Sequence, residues 1–106
     1  MSDPQPDAAQ AELLADLAEL VTLLRDVGED HWAAWMESDR ARIADGQPDG
    51  LTHLLSAYGG MGSFNDLVIH PANGHDLPAN LASSTNDKLR SLRSHTWINA
   101  TALTRA

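Results

Sequence analysis

Apolar side chains recur every three or four residues over the first third of the chain, and this periodicity restricts the fold more than any other feature. The repeat is formed by Leu13, Leu17, Leu20, Val21, Leu24 and Val27. A helical period of 3.6 residues places them on one face, which must be covered by other elements. Asp7 is predicted to cap this helix before Ala8, and Gly28 is predicted to end it. The sequence therefore predicts a long first helix with a buried face.

Two further helices are predicted between the first helix and residue 60. In the second, Glu29 and Asp30 lie where negative charge suits a helix N-terminus, and Gly46 follows the end. Its buried face is predicted to hold Trp32, Trp35, Met36 and Ile43. The third helix is predicted to be short and to be capped by Asp49. Its apolar positions are Leu51, Leu54, Leu55 and Tyr58.

A fourth helix is predicted to begin near the segment SSTND, where Ser84 and Asp87 have the spacing of a capping box. One face carries Leu89, Leu92, Thr96, Ala100 and Leu103. Trp97 lies beside this face, and arginines at 90, 93 and 105 form a basic flank. The chain is thus predicted to be all-α. Residues 7–106 are predicted to form a single domain, a small bundle of four helices with a long, partly ordered connection between helices three and four, and residues 1–6 are predicted to form a disordered tail.

Composition limits the chemistry that this domain can perform. A chain of 106 residues supports one modest hydrophobic core. It has no cysteine, which excludes disulfides, thiol nucleophiles and zinc sites with sulfur ligands. The first ten residues lack the basic and apolar regions of a secretory signal, so a cytoplasmic location is expected.

The net charge of −8 is concentrated in the first half of the chain. Residues 1–50 hold 12 acids and 3 bases, whereas residues 51–106 hold 3 acids and 4 bases. Such a surface is unsuited to nucleic acid, which requires clustered Lys and Arg, and it repels anionic lipid. No apolar run is long enough to cross a membrane. A protein partner with a basic surface is therefore predicted.

The connection between the third and fourth helices begins with GGMGS. These glycines have the flexibility of a phosphate-binding loop, but the Lys-Ser/Thr pair of that motif is missing. We therefore interpret the three glycines as a tight turn, in which they adopt positive φ or let a neighbouring helix approach closely. Ser63 and Asp66 have capping-box spacing and predict one or two helical turns. A short β-strand at 67–69, with the sequence LVI, is the alternative, because periodicity cannot separate the two over so few residues.

The second half of the connection is rich in polar side chains. Pro71 is expected to hold the preceding residue extended, and Asn-Gly at 73–74 predicts a turn. Nitrogen and oxygen ligands are offered by Asp66, His70, His75 and Asp76. Their spacing matches no established metal motif, because paired histidine ligands on a helix stand three or four residues apart. Neither a metal nor a cofactor is therefore predicted.

Asp39 falls in the middle of the apolar face of the second helix. A carboxylate there must be paired or hydrogen-bonded, because its burial is otherwise costly. The candidate partners are the arginines at 40, 42, 90 and 93 and the backbone N–H groups of GGMGS. His53, on the third helix, is expected to be a half-exposed surface residue. We interpret Asp39 as a structural pin, with a general base of raised pKa as the functional alternative.

The segments HWAAWMESDRARI and LLSAYGGMGSFNDLVIHPANG resemble a family of small uncharacterised bacterial proteins. Members of that family combine an HWAAW-type helix with a GGMGSFNDLVI-type segment, and the resemblance covers about residues 28–75. The matching positions are Trp32, Trp35, Asp39, Gly59, Gly60, Gly62, Ser63, Asn65 and Asp66. The family has no established activity, so the resemblance implies no chemistry for these residues.

Small size, acidity and the lack of a nucleophile motif predict a non-enzymatic protein-interaction module, more specifically an immunity- or antitoxin-like bacterial protein that neutralises a partner. The predicted partner-binding residues are Glu29, Asp30, His70, Asn73, His75 and Asp76. The alternative is a small-molecule- or metal-binding protein, or an enzyme, with a site around Asp39 and the 59–76 segment. The structural or pocket residues of that site are Trp32, Trp35, Asp39, Gly60, Gly62, Ser63, Asn65 and Asp66. A homodimer through an exposed Leu or Trp stripe also stays open.

Overall fold

The structure, a computed structural model, describes residues 6–105. Its four α-helices are α1 (Pro6–Asp26), α2 (Asp30–Ala44), α3 (Asp49–Ser56) and α4 (Ala82–Arg105). The described residues contain no strand, so the predicted all-α bundle with a long connection before the fourth helix is confirmed. The tail predicted at 1–6 lies outside the described residues except for Pro6, the first residue of α1.

The apolar stripe of α1 forms the centre of the core. All six of its predicted members are buried, and Leu13, Leu17, Leu20 and Leu24 are completely so. α1 packs along both α2 and α4, while α3 contacts α2 and α4. Complete burial of a leucine side chain contributes about 1.5–3 kcal/mol through its removal from water. The stripe therefore supplies much of the energy that holds the other helices on α1.

The first two helices end near the predicted glycines. Gly28 and Gly46 each follow the last helical residue by two positions. The predicted start of α1 is wrong, because the helix begins at Pro6 and includes Asp7 instead of following it. Proline is accepted in a first helical turn, since the N–H group that it lacks has no partner within the helix there.

The predicted caps of α3 and α4 are also wrong. Asp49 is the first residue of α3 and makes no capping hydrogen bond; its carboxylate lies 3.9 Å from Arg42 Nη1 on α2. α4 begins two residues before Ser84, because a 3-10 turn at Ala79–Leu81 leads directly into it. Ser84 is therefore inside the helix, where its hydroxyl donates to the C=O of Leu81.

The start of α3 lies very close to the end of α2. A Cβ atom on Gly50 would stand 3.0 Å from Arg42 Cβ and 3.0 Å from Ile43 Cγ1. These separations are tighter than ordinary van der Waals contact, so the absence of a side chain at Gly50 permits the approach. α3 therefore runs against α2, where His53 reaches Asp39.

The connection at 57–81 is ordered by three short 3-10 turns, at Phe64–Asp66, Pro71–Asn73 and Ala79–Leu81. The first confirms the helical turn predicted from the Ser63 spacing, and the alternative of a strand at 67–69 is wrong. The extended residue before Pro71 and the turn at Asn-Gly are confirmed. Because Phe64 and Ile69 are completely buried, the connection forms part of the core.

Polar side chains of α4 fasten this connection in place. The N–H of Ile69 donates to Asn86 Oδ1, and the C=O of Ile69 accepts from Asn86 Nδ2, both at 2.8 Å. Arg93 Nη1 donates to the C=O groups of Phe64, at 2.9 Å, and Leu67, at 3.3 Å. A side-chain amide therefore replaces the neighbouring strand that would otherwise pair the backbone of Ile69.

Candidate functional site

The glycine segment forms a turn that bonds to itself. Gly60 and Gly62 have φ angles of 76° and 78°, as predicted for turn residues. The N–H of Gly62 donates to Asp66 Oδ2 at 2.8 Å, and Met61 is 99% exposed at the tip. Ser63 Oγ is buried and has no hydrogen-bond partner among the described residues. Positive φ at two positions brings the chain round sharply enough for Asp66 to reach back to Gly62.

Asp39 is completely buried, as its place in the apolar face predicted. Its partner is His53, not an arginine or the glycine segment: His53 Nδ1 lies 2.6 Å from Asp39 Oδ1. Arg40 and Arg42 pair instead with other acids of α2 and α3. The second oxygen, Oδ2, has no hydrogen-bond partner in the described part of the chain. The expected partners were wrong because the position of α3, not the neighbouring sequence, decides what faces Asp39.

Aromatic rings surround the Asp39–His53 pair. The Trp35 ring stacks on His53, with centroids 4.2 Å apart and planes at 16°. Trp32 lies 5.2 Å from Trp35 and 5.3 Å from Phe64, so the rings continue towards the connection. Burial raises the pKa of Asp39, and the Trp35 indole N–H opposes this rise less than His53 does, since no hydrogen bond of regular geometry joins Trp35 to Asp39. This arrangement ties α2, α3 and the connection together.

The Asp39–His53 pair has the composition of a catalytic dyad, in which a carboxylate orients an imidazole that acts as a base. The His53 side chain is 38% exposed, whereas Asp39 lies beneath it. Neither residue lines the two grooves described below. Neither of these two grooves therefore brings a substrate to the pair, and the structural pin remains our interpretation of Asp39.

Replacement of Asp39 with asparagine should remove one pH-dependent contribution to stability. Burial raises the pKa of Asp39 above its ordinary value, and the His53 hydrogen bond opposes this rise. The native state then holds the proton more tightly than the unfolded chain, so ionisation of Asp39 lowers stability as pH rises through the raised pKa. As the pH rises, we expect the free energy of unfolding of the wild type to fall relative to that of Asp39→Asn. Urea unfolding of both proteins between about pH 4 and 7 measures the difference between their free energies of unfolding. A difference that does not change with pH would contradict the prediction.

The predicted partner-binding residues divide into two groups. His75 and Glu29 bond to each other, with Nε2 and Oε1 2.9 Å apart and side chains only 6% and 19% exposed. The N–H of Asp76 donates to the C=O of Val27 at 2.9 Å, which fastens this part of the connection to the corner between α1 and α2. The exposed residues are Asp30, His70, Asn73 and Asp76. Of the six predicted partner-binding residues, only these four are presented at the surface.

The polar residues of the alternative site bond to different partners. Asp39 pairs with His53, the Asp66 carboxylate accepts from the glycine turn, and His75 pairs with Glu29. Within the described residues, no group of three His, Cys, Asp or Glu side chains is placed to hold a metal ion. The fold therefore does not gather a metal-ligand set from these positions.

A surface that the sequence reasoning missed lies between α1 and α4. Ile98 on α4 is 60% exposed and lies in a groove of about 510 Å³ with Glu12 and Asp16 of α1. His95 and Asn99 complete this part of the groove wall on α4. Burial raises the pKa of Asp16, against the lowering effect of His95, and the charges of neighbouring acids raise it further. An exposed apolar side chain therefore stands beside a concentration of negative charge.

The row of acids continues along α1. Glu19 and Asp26 line shallower hollows between the same two helices, with Lys88 beside them. None of the ion pairs in the described part of the chain uses an acid of this row. We call the surface formed by Glu12, Asp16, Glu19, Asp26 and Ile98 the acidic face. The spacings of three, four and seven residues between its acids place them on one helical face and can be read from the sequence. The position of Ile98 beside these acids cannot be read from the sequence.

Ile98 also borders a second groove, of about 440 Å³, between the connection and α4. Its lining consists of Tyr58, Asn65, Arg90, Arg93, Ser94, Trp97 and Ile98. The Tyr58 hydroxyl donates to the C=O of Arg93 at 2.8 Å, and its ring centroid lies 5.2 Å from that of Trp97. We call this surface the arginine–tryptophan groove. Part of the basic flank predicted for the fourth helix thus lies in a concave surface with exposed aromatic area.

These elements define a small helical domain in which side chains hold a long polar connection against a four-helix bundle. The chain belongs to the family DUF6966, a domain of unknown function, whose model matches residues 25–78. That range agrees with the resemblance at 28–75 and includes Asp39 and His53, whereas Ile98 lies beyond it. No curated protein and no solved structure matches the chain. None of the described helices is long and apolar enough to cross a membrane.

Proposed function

We propose that this protein is a protein-interaction module that uses its acidic face to bind a partner with a basic surface. One observation carries the proposal. Ile98 is 60% exposed and shares a groove with the carboxylates of Glu12 and Asp16, which are in no ion pair of the described chain. Apolar anchors supply most of the binding energy of an interface, and charges at its edge direct the encounter.

The geometry of α1 extends this surface. Glu12 and Asp26 are separated by about 21 Å along the helix, at 1.5 Å for each residue. Beyond Asp26, the exposed Asp76 is joined through its backbone to Val27. The acids of α1 and the exposed Asp76 of the connection therefore supply one extended field of negative charge. Such a field accelerates association with a positively charged protein.

The charge also favours a different protein over a second copy of the chain. Two acidic faces brought together would place like charges opposite one another, which is unfavourable. In its specific form, the proposal is that this is an immunity- or antitoxin-like bacterial protein, which neutralises a toxin by covering a basic surface of it. The small size and the net charge of −8 support this form.

Affinity capture from the native host, followed by mass spectrometry, tests the proposal. We expect one protein partner with a basic surface to be recovered in stoichiometric amount. The charge-reversal variant Glu12→Lys/Glu19→Lys, which alters two exposed positions of the acidic face, should slow association with that purified partner at least about tenfold. Association rates are measured by surface plasmon resonance at low salt.

The matched control is Asp45→Lys/Asp49→Lys, which makes the same change in net charge at two exposed positions, one just after α2 and one at the start of α3. It should slow association much less, because the altered charges lie outside the acidic face. Recovery of no stoichiometric partner, or equal slowing by both double variants, would count against the proposal.

A further inference from the structure

We infer that the arginine–tryptophan groove binds a small carboxylate that carries an aromatic body. The groove shares Ile98 with the acidic face, but the inference does not depend on the proposed protein interaction, because the groups that recognise the ligand lie on the other side of Ile98 from Glu12 and Asp16. The groove volume of about 440 Å³ lies within the range of roughly 300–1,000 Å³ that is usual for small-molecule sites. The groove presents two arginines, two aromatic rings and polar groups around them.

Arg93 is the cation that an anionic ligand would neutralise. It is half-buried, and its Nη1 donates to the two backbone C=O groups of Phe64 and Leu67. No carboxylate forms an ion pair with Arg93 in the described part of the chain. Burial lowers the pKa of Arg93, and the charge of Arg90 lowers it further, while Tyr58 and the nearby Asp66 carboxylate, which forms no ion pair with Arg93, oppose this shift. Partial burial of a cation without an ion-pair partner costs free energy, because the charge loses part of its hydration. A carboxylate bound in this groove would form an ion pair with Arg93 and offset that cost.

Arg90 makes this groove a basic site on an acidic protein. Its only ion pair in the described chain is with Asp87, where both side chains are about two-thirds exposed, at 67% and 68%. Such exposed pairs contribute little, and a ligand carboxylate can compete for the same guanidinium. Asn65 and Ser94 line the groove and offer an amide and a hydroxyl to the second carboxylate oxygen.

The aromatic part of the ligand is inferred from Trp97. Its side chain is 43% exposed and lies against Tyr58, with the ring centroids 5.2 Å apart. The Tyr58 hydroxyl already donates to a backbone C=O, so its ring contributes apolar surface to the groove. An aromatic ring inserted here would cover exposed indole and isoleucine surface, and paired aromatic rings attract each other more than the buried area alone accounts for.

NMR titration of the Trp97 indole N–H tests the inference with simple probes. Phenylacetate should shift this signal in a saturable way, with a Kd of about 1 mM, as suits a ligand of its size. Phenethylamine has the same ring with the opposite charge, and phenylacetamide is neutral; both should bind at least about tenfold more weakly. Inorganic phosphate, which lacks the ring, should also bind at least about tenfold more weakly.

Two substitutions at exposed positions locate the binding without disturbing the hydrogen bonds of Arg93. Arg90→Gln should weaken phenylacetate binding by about fivefold. Trp97→Ala should weaken it by a similar factor, measured then through the Asn65 side-chain amide signals. Arg25→Gln removes an equal charge from an exposed position on α1 and should leave the Kd unchanged. Each variant is first checked for a native-like amide spectrum.

Three outcomes would overturn the inference. They are the absence of a saturable shift with phenylacetate, equal binding of phenethylamine, and equal weakening by Arg25→Gln and Arg90→Gln. The last would reveal a general charge effect instead of a site. None of these results concerns Glu12 or Glu19, so they are distinguishable from failure of the proposed protein interaction.

Discussion

Replacement of Phe64 with alanine is expected to lower the free energy of unfolding by about 3–5 kcal/mol. The ring is completely buried although it belongs to the connection between α3 and α4. It lies 5.3 Å from the Trp32 ring and 5.8 Å from the Tyr58 ring, and Arg93 stands over its face. The substitution would leave a cavity that these neighbours fill only in part. Urea unfolding followed by circular dichroism measures the loss.

The control for this prediction is Met61→Ala, in the same connection. Met61 is 99% exposed, so its truncation should change the free energy of unfolding by less than about 0.5 kcal/mol. A loss below about 1 kcal/mol for Phe64→Ala would show that the connection is not part of the core. The comparison separates burial of the ring from a general sensitivity of the connection to substitution.

Replacement of Asn86 with alanine is expected to cost about 2–4 kcal/mol, the second largest effect. Its side chain pairs both backbone groups of Ile69 and also donates to the C=O of Ala82 at 2.8 Å. Ile69 is completely buried, so its N–H and C=O would lose their partners without gaining water. Besides weaker resistance to urea, the variant should exchange the Ile69 amide hydrogen much faster, which NMR measures directly.

Two comparisons sharpen the Asn86 prediction. Asn80→Ala, at an exposed position just before α4, should have almost no effect. Asn86→Asp keeps an acceptor for the Ile69 N–H but loses the donor to the Ile69 C=O, so its stability should lie below that of the wild type. An Ile69 amide that stays equally protected in Asn86→Ala would contradict the proposed role of this side chain.

The helices were predictable because their signals are local. The leucine repeat of α1 specified both a helix and its buried face, and the glycines at 28 and 46 marked two helix ends. The predicted caps failed where a neighbouring element controlled the helix start. At Asp49 the close contact of Gly50 with α2 fixes the first turn, and at Ser84 a preceding 3-10 turn begins the helix early.

The candidate sites show where sequence reasoning stopped. The position of Asp39 in the apolar face was correct, but His53 was not identified as its partner, since 14 residues and a helix crossing separate them. The acids of α1 could be placed on one helical face from their spacing. Their position beside Ile98 follows only from the packing of α1 against α4. Likewise, the arginines and Trp97 of α4 become a groove only when Tyr58 lies against them.

The segment GGMGSFNDLVI illustrates the same division. Its glycine turn and the turn after Ser63, like the extended His70 that follows the segment, were fixed by local backbone preferences, which depend on a few neighbouring residues. The burial of Phe64 and Ile69 and their attachment to α4 were decided by tertiary structure. Hydrophobic periodicity and turn chemistry act within one segment, so the sequence by itself determined the helices and most turns. Pairings such as Asp39–His53 and Ile69–Asn86 depend on the relative placement of distant helices, which only the packed core sets.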